Sequence, residues 1–237
     1  MDDTIFDHVL TCQAALRALR TGEPLFRRRP LLEVRHEYLR LLDAVHTDIL
    51  AGRTSVDAAR IERFRRLAEF CGGSVSEVRA RSLSRRYRAQ YQRERRAVPG
   101  AVDLLTRLHG RSVVTIVTNN QVAEQEGKLD FLGIRPLVDF LVVSEGVGVS
   151  KPDRRIFEIA LERSDAEPEE AVMVGDSWPS DIVGARGAGI RAIWFNRFGL
   201  PNPDPRDVPE IRSMRDHRRV EEVLAEARPT PVRPSPE

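Results

Sequence analysis

The chain has 237 residues, 41% of them hydrophobic, enough for one large domain or two small ones with a real core. No apolar run approaches the ~20 residues that cross a bilayer, and the opening residues lack the pattern of a signal peptide. Two cysteines, Cys12 and Cys71, give neither a disulfide framework nor a metal-ligand spacing, so the sequence reads as soluble and cytoplasmic with buried free thiols.

Residues 9–97 read as entirely helical. Leu31, Leu32, Leu39, Leu42, Val45 and Ile49 recur at helical spacing, and Ser55 to Phe70 repeats the pattern with Ile61, Phe64 and Leu67. Gly72-Gly73 is a break, and Ser74 predicts an N-cap for a helix reaching about Arg96. Residues 10–96 hold 20 arginines against 10 acidic residues, whereas the remainder holds 18 basic and 26 acidic residues. The runs Arg27-Arg28-Arg29, Arg85-Arg86 and Arg95-Arg96 fit a solvated helix face, or a positive surface that steers anions. No interleaved aromatics or nucleic-acid motif accompany them, so no nucleic-acid partner is expected.

After Val98-Pro99-Gly100 the pattern changes. Val113–Val117, Phe140–Val143, Ala171–Val174 and Arg191–Phe195 read as strands, three of them continuous apolar runs expected of strands buried on both faces. Helical segments alternate with them at Ala101–Leu108, Gln121–Leu132, Arg154–Glu162 and Pro179–Ala188. Alternation predicts an α/β fold, a doubly wound parallel sheet with an inserted helical region. Leu200–Pro209 should be a loop, Val220–Ala227 a closing helix, and 228–237 a disordered proline-rich tail. The expected division is a core of 1–8 and 98–227 and a helical insert of 9–97.

Three strand ends carry polar signals. Thr118-Asn119-Asn120 could simply cap the next helix. Ser150-Lys151-Pro152-Asp153 contains one of only two lysines, the other being Lys128, among 38 basic residues. Gly175-Asp176 ends a strand and Asp181 follows five residues later, two carboxylates at the sheet edge where ligands bind in open α/β folds. Paired carboxylates suit a hard cation such as Mg²⁺.

In this order and spacing the three resemble the haloacid dehalogenase superfamily of phosphohydrolases, over about residues 98–196. Thr118 with Asn119 looks like its second motif, Lys151 its third, and Asp176 with Asp181 its fourth. The insert resembles the family's α-helical cap, and Gly146–Pro152 with its surroundings looks most like the pyrimidine 5′-nucleotidase branch, with acylneuraminate phosphatases close behind. The resemblance implies a Mg²⁺-dependent phosphatase of small phosphorylated metabolites. In it the Thr118 hydroxyl and Asn119 N–H hold a phosphoryl oxygen, Lys151 neutralises the anion, Asp176 binds metal, and Asp181 acts through water or orients its neighbours. Its first motif, DxDxT, aligns Thr4 with the threonine and Asp2 with the second aspartate, the general acid/base whose backbone carbonyl also meets the metal. The nucleophilic aspartate then falls one residue before Met1. Asp3 would lie ~10 Å from that position along an extended chain, too far to replace it. The expectation is a chain whose first strand and nucleophile are encoded just upstream, and which has little turnover as written. The rival readings are a catalytically dead binding protein and a metal-free 2-haloacid dehalogenase, the latter opposed by the pair Asp176 and Asp181 and by Asp2. Association is left open, with a homodimer as one state.

Overall fold

The computed structural model describes residues 1–45, 49 and 53–226. The tail expected at 228–237 and the end of the closing helix at Ala227 lie outside them. Two compact units are present: Asp7–Arg96, and Met1–Phe6 with Ala97–Glu237.

The first unit is helical. Helix α1 (His8–Thr21) starts where the Asp7 carboxylate accepts the Leu10 N–H at 3.1 Å. Helix α2 (Leu31–Ala44) buries Val34, Tyr38 and Leu41, spaced four and three apart. Of the helically spaced leucines, Leu31 and Leu39 pack part-buried against the same core, whereas Leu32 is 54% exposed. Tyr38 decides the orientation, because its ring packs on Phe64 at 5.9 Å and on Tyr87 at 4.7 Å. Helix α3 (Val56–Phe70) is capped by Ser55 as expected. Helix α4 (Glu77–Arg93) is capped by Ser76 rather than Ser74, since the Ser76 hydroxyl accepts the Arg79 N–H at 3.3 Å. The arginine run has a structural task. Arg27, Arg28 and Arg29 donate to the carbonyls of Arg20, Gly72 and Phe70, at or just past helix C-termini.

The second unit holds parallel strands joined through helices, as parallel pairing requires. Helix α5 (Ala101–Leu108) leads into β1 (Thr115–Thr118), followed by α6 (Val122–Leu132), β2 (Phe140–Val143), α7 (Arg154–Ser164), β3 (Val172–Gly175), β4 (Arg191–Phe195), β5 (Glu210–Ile211) and α8 (His217–Glu226). All four expected strands form, and β5 adds a short fifth after the proline-rich loop. They make two parallel sheets, β1-β2 and β3-β4-β5. Strand β1 starts two residues later than expected because the Asp139 carboxylate takes the Val114 N–H at 2.7 Å. The segment expected as a helix at 179–188 opens with a wide helical turn, Trp178–Val183, before Gly184–Gly187. Residues 1–6 form a tight turn: the Ile5 and Phe6 N–H groups both bond to the Met1 carbonyl, and Phe6 is fully buried. Ile156, Phe157, Ile182 and Trp194 form one core cluster of this unit, and Ile193, Phe195, Ile211 and Val220 another.

Candidate active site

The polar residues singled out above lie at the C-terminal end of β1 (Thr118 and Asn119), in the segment after β2 (Lys151) and just past β3 (Asp176 and Asp181). Gly175 closes β3 against Asp181. A Cβ built on it would fall inside the Asp181 side chain, so only glycine allows this approach. Asp181 sits in the wide turn that follows. Its Oδ2 accepts the Ser177 N–H at 3.0 Å, and its Oδ1 takes the Lys151 ammonium at 2.6 Å. Both side chains are buried, at 7% and 5% exposure. The same ammonium donates to the Val117 carbonyl of β1 at 2.9 Å.

Asn119 fixes that lysine through the backbone. Its amide donates to the Lys151 carbonyl at 2.8 Å and accepts the Lys151 N–H at 2.7 Å. The Asn119 side chain therefore ties two loops together. The Thr118 hydroxyl is buried and receives the Gln125 amide at 3.2 Å. Thr4 donates to Asp176 Oδ1 at 2.8 Å, and the Trp194 indole N–H donates to the Asp176 carbonyl at 2.9 Å. Asp2 faces α6, pairing with Lys128 at 2.5 Å and accepting from Asn120 and Gln125 at 3.2 and 3.1 Å.

All six residues expected from sequence thus join one network of bonds and charges. Burial, followed by the charge of Asp181, pushes the Asp176 carboxyl above its ordinary range. Burial and then Lys151 push the Met1 α-amino group down, while Asp181, Asp2 and Asp176 oppose the shift. Three carboxylate charges therefore act on one amine. Among the described residues no three Asp, Glu, His or Cys side chains form a ready metal-ligand group. The donors that remain suit a hard cation: two carboxylates, Asp176 part-buried and Asp181 buried, whose mutual repulsion a cation would relieve.

Sequence reasoning missed Thr4 as a partner of Asp176, and it missed the donors Lys128, Gln125 and Asn120. The rarity of lysine was the one available signal for Lys128.

A family model for haloacid dehalogenase-like hydrolases matches residues 1–189. Pyrimidine 5′-nucleotidase YjjG of Escherichia coli is 40% identical over 108 residues, 45% of this chain and 48% of that protein. The phosphoserine phosphatase of Thermus thermophilus is 38% identical over 168 residues, 69% of this chain and 64% of that protein. The aligned stretches thus span about half to two thirds of these relatives. The crystal structure of the HAD-hydrolase YfnB of Bacillus subtilis, described as bound to magnesium, superposes with a TM-score of 0.71 at 27% identity, covering 94% of this chain and 95% of that one.

Proposed function

The chain belongs to the haloacid dehalogenase-like hydrolases, and from that premise we propose that it is a Mg²⁺-dependent cytoplasmic phosphatase of small phosphate monoesters, nucleoside 5′-monophosphates first among them. The observation that carries the reading is the buried Lys151–Asp181 pair at 2.6 Å, tied by Asn119 to the end of β1. It fixes a cation at the edge where a phosphoryl group would lie between Thr118 and Asp176. Phosphoryl transfer depends on such positioning and charge stabilisation more than on covalent chemistry supplied by the protein.

Each residue has a role in the proposal. The Thr118 hydroxyl and Asn119 N–H donate to phosphoryl oxygens. Lys151 neutralises part of the dianion while holding Asp181 in place. Asp176 and the Asp2 carbonyl would hold Mg²⁺, with Asp181 acting through water or as an orienting group; bound there, the cation offsets the repulsion between carboxylates and an anionic ester. Asp2 gives a proton to the departing oxygen and later takes one from the attacking water. An aspartyl-phosphate route would need a nucleophilic carboxylate in addition to these residues. Residues 9–97 serve as the cap, and their arginine surplus draws anionic substrates. The nucleotidase and phosphatase relatives support the substrate class.

The test measures phosphate release from a panel of monoesters, for this chain and for one continued through the in-frame codons upstream. Release by the continued chain that stops with EDTA supports the proposal. Release insensitive to EDTA, or halide release from 2-haloacids, refutes it. Silence from both forms across the panel leaves a binding role in its place.

A further inference from the structure

Lys128 has no part in the chemistry above, yet it is buried against it. Its ammonium lies 2.5 Å from Asp2 Oδ1 and 5.0 Å from the centre of the Phe6 ring. The other Asp2 oxygen accepts from Asn120 and Gln125. Gln125 and Lys128 are three residues apart on α6 and so share a face. Gln125 spends its amide hydrogens on Asp2 and Thr118, while its own Oε1 is buried without a partner among the described residues. A buried ammonium and an unsatisfied buried carbonyl are both unfavourable for folding alone. What the arrangement achieves is to fix one carboxylate: both its oxygens are engaged, and its rotamer is set.

Resting on the phosphatase reading, we propose that Lys128 is a positioning residue: with Gln125 and Asn120 it holds the Asp2 carboxylate in place for proton transfer to the leaving oxygen and keeps it out of the metal's ligand set. Asp2 then offers the cation its backbone carbonyl only. The proton that Asp2 gives to the departing alcohol is recovered from the attacking water, and Lys128 keeps its own protons throughout.

Two measurements test this. The first is Mg²⁺ affinity of the 237-residue chain by titration calorimetry. Asp2→Asn should bind within about twofold of the unaltered chain, whereas Asp176→Asn should weaken binding by about tenfold or more, because ligand charge sets affinity. The second is turnover, using whichever form of the chain releases phosphate. Lys128→Met and Lys128→Gln should lower kcat on an alkyl phosphate such as glycerol phosphate by ~10²–10⁴, the range of general acid–base catalysis. On p-nitrophenyl phosphate, whose leaving group needs no proton, the loss should stay below about tenfold. Gln125→Met should show the same split more weakly, and Asp2→Asn with Lys128→Met should be no worse than Asp2→Asn alone. Equal losses on both esters, or a Mg²⁺ defect in Asp2→Asn as large as that in Asp176→Asn, overturn the assignment while leaving the phosphatase reading intact. Absence of both Mg²⁺ binding and phosphate release from the unaltered protein overturns that reading, and this inference with it.

Discussion

Lys151→Met isolates the electrostatic centre of the site. The substitution leaves Asp181, 5% exposed, without the ammonium that now lies 2.6 Å away, while the Ser177 N–H still holds the other oxygen. Removing one partner of a buried pair costs about 3–5 kcal/mol, because the remaining charge is uncompensated. At about 2–4 °C per kcal/mol for a protein of this size, the melting temperature should fall by about 6–20 °C. Adding Asp181→Asn removes the orphan charge but keeps an acceptor for Ser177. The double variant should therefore recover about 2 kcal/mol or more relative to Lys151→Met. Both tryptophans, Trp178 and Trp194, lie in the strand-bearing unit with their rings 5.2 Å apart, so fluorescence melts in EDTA follow that unit alone. A loss below about 1 kcal/mol for Lys151→Met, or a double variant as unstable as the two single losses added together, would refute the reasoning.

Three further outcomes are expected. Asp176 ionises against burial and the charge of Asp181, so its raised pKa means a destabilising contribution that is absent below the ordinary 3.8 and complete once pH has passed the folded value. Metal-free Asp176→Asn should accordingly melt above the unaltered protein at pH 7, with the gap closing as pH falls toward 3.8, and should gain little from Mg²⁺. The unaltered protein should gain about 2.7 kcal/mol at a hundred times the dissociation constant, measured by melts across a Mg²⁺ series. Gly175→Ala forces a Cβ into Asp181 and should weaken Mg²⁺ binding at least as strongly as it lowers the melting temperature, judged by calorimetry. Ser76→Ala removes the cap of α4 and should cost about 1 kcal/mol in urea melts followed by circular dichroism, with Mg²⁺ affinity unchanged.

The parts of this fold that were readable in the sequence are those fixed by local chemistry. The sequence predicts helix α5 at Ala101–Leu108 and strands β2 and β4 at 140–143 and 191–195, and each is found at those bounds, because apolar runs and turn residues define them locally. The leucine spacing identifies α2 as a helix but says nothing of which neighbours compete for the core, where Tyr38 is buried, Leu31 and Leu39 pack part-buried and Leu32 is exposed. Three facing aromatic side chains, Tyr38, Phe64 and Tyr87, settle that question, and they come from three different helices. The site divides in the same way. Thr118, Asn119, Lys151, Asp176 and Asp181 announce themselves through strand-end spacing. Their pairings do not, since Lys151 meets Asp181 across 30 positions and Lys128 meets Asp2 across 126. Nothing in a one-dimensional pattern favours Lys151 with Asp181 over Lys151 with Asp176.

The choice of lysine at both places has a physical basis. The chain uses arginine almost everywhere else, largely on exposed helix faces or at helix ends where several donors find carbonyls or water. Lys128 is wedged between a carboxylate and the Phe6 ring, and Lys151 between a carboxylate and a strand carbonyl. A compact ammonium fits such a space with three rotatable donors, whereas a planar guanidinium would bring five donors to satisfy in fixed directions. Each lysine thereby occupies one acidic side chain, Asp2 or Asp181. Among the described residues the Thr4 hydroxyl is the side chain that hydrogen-bonds the Asp176 carboxylate, and Asp176 is the carboxyl whose proton affinity burial and Asp181 raise. Lys151 and the N-terminal amine reach Asp176 only through their charge, without a direct bond, so in the proposed site Asp176 is the carboxylate that a divalent cation would stabilise most.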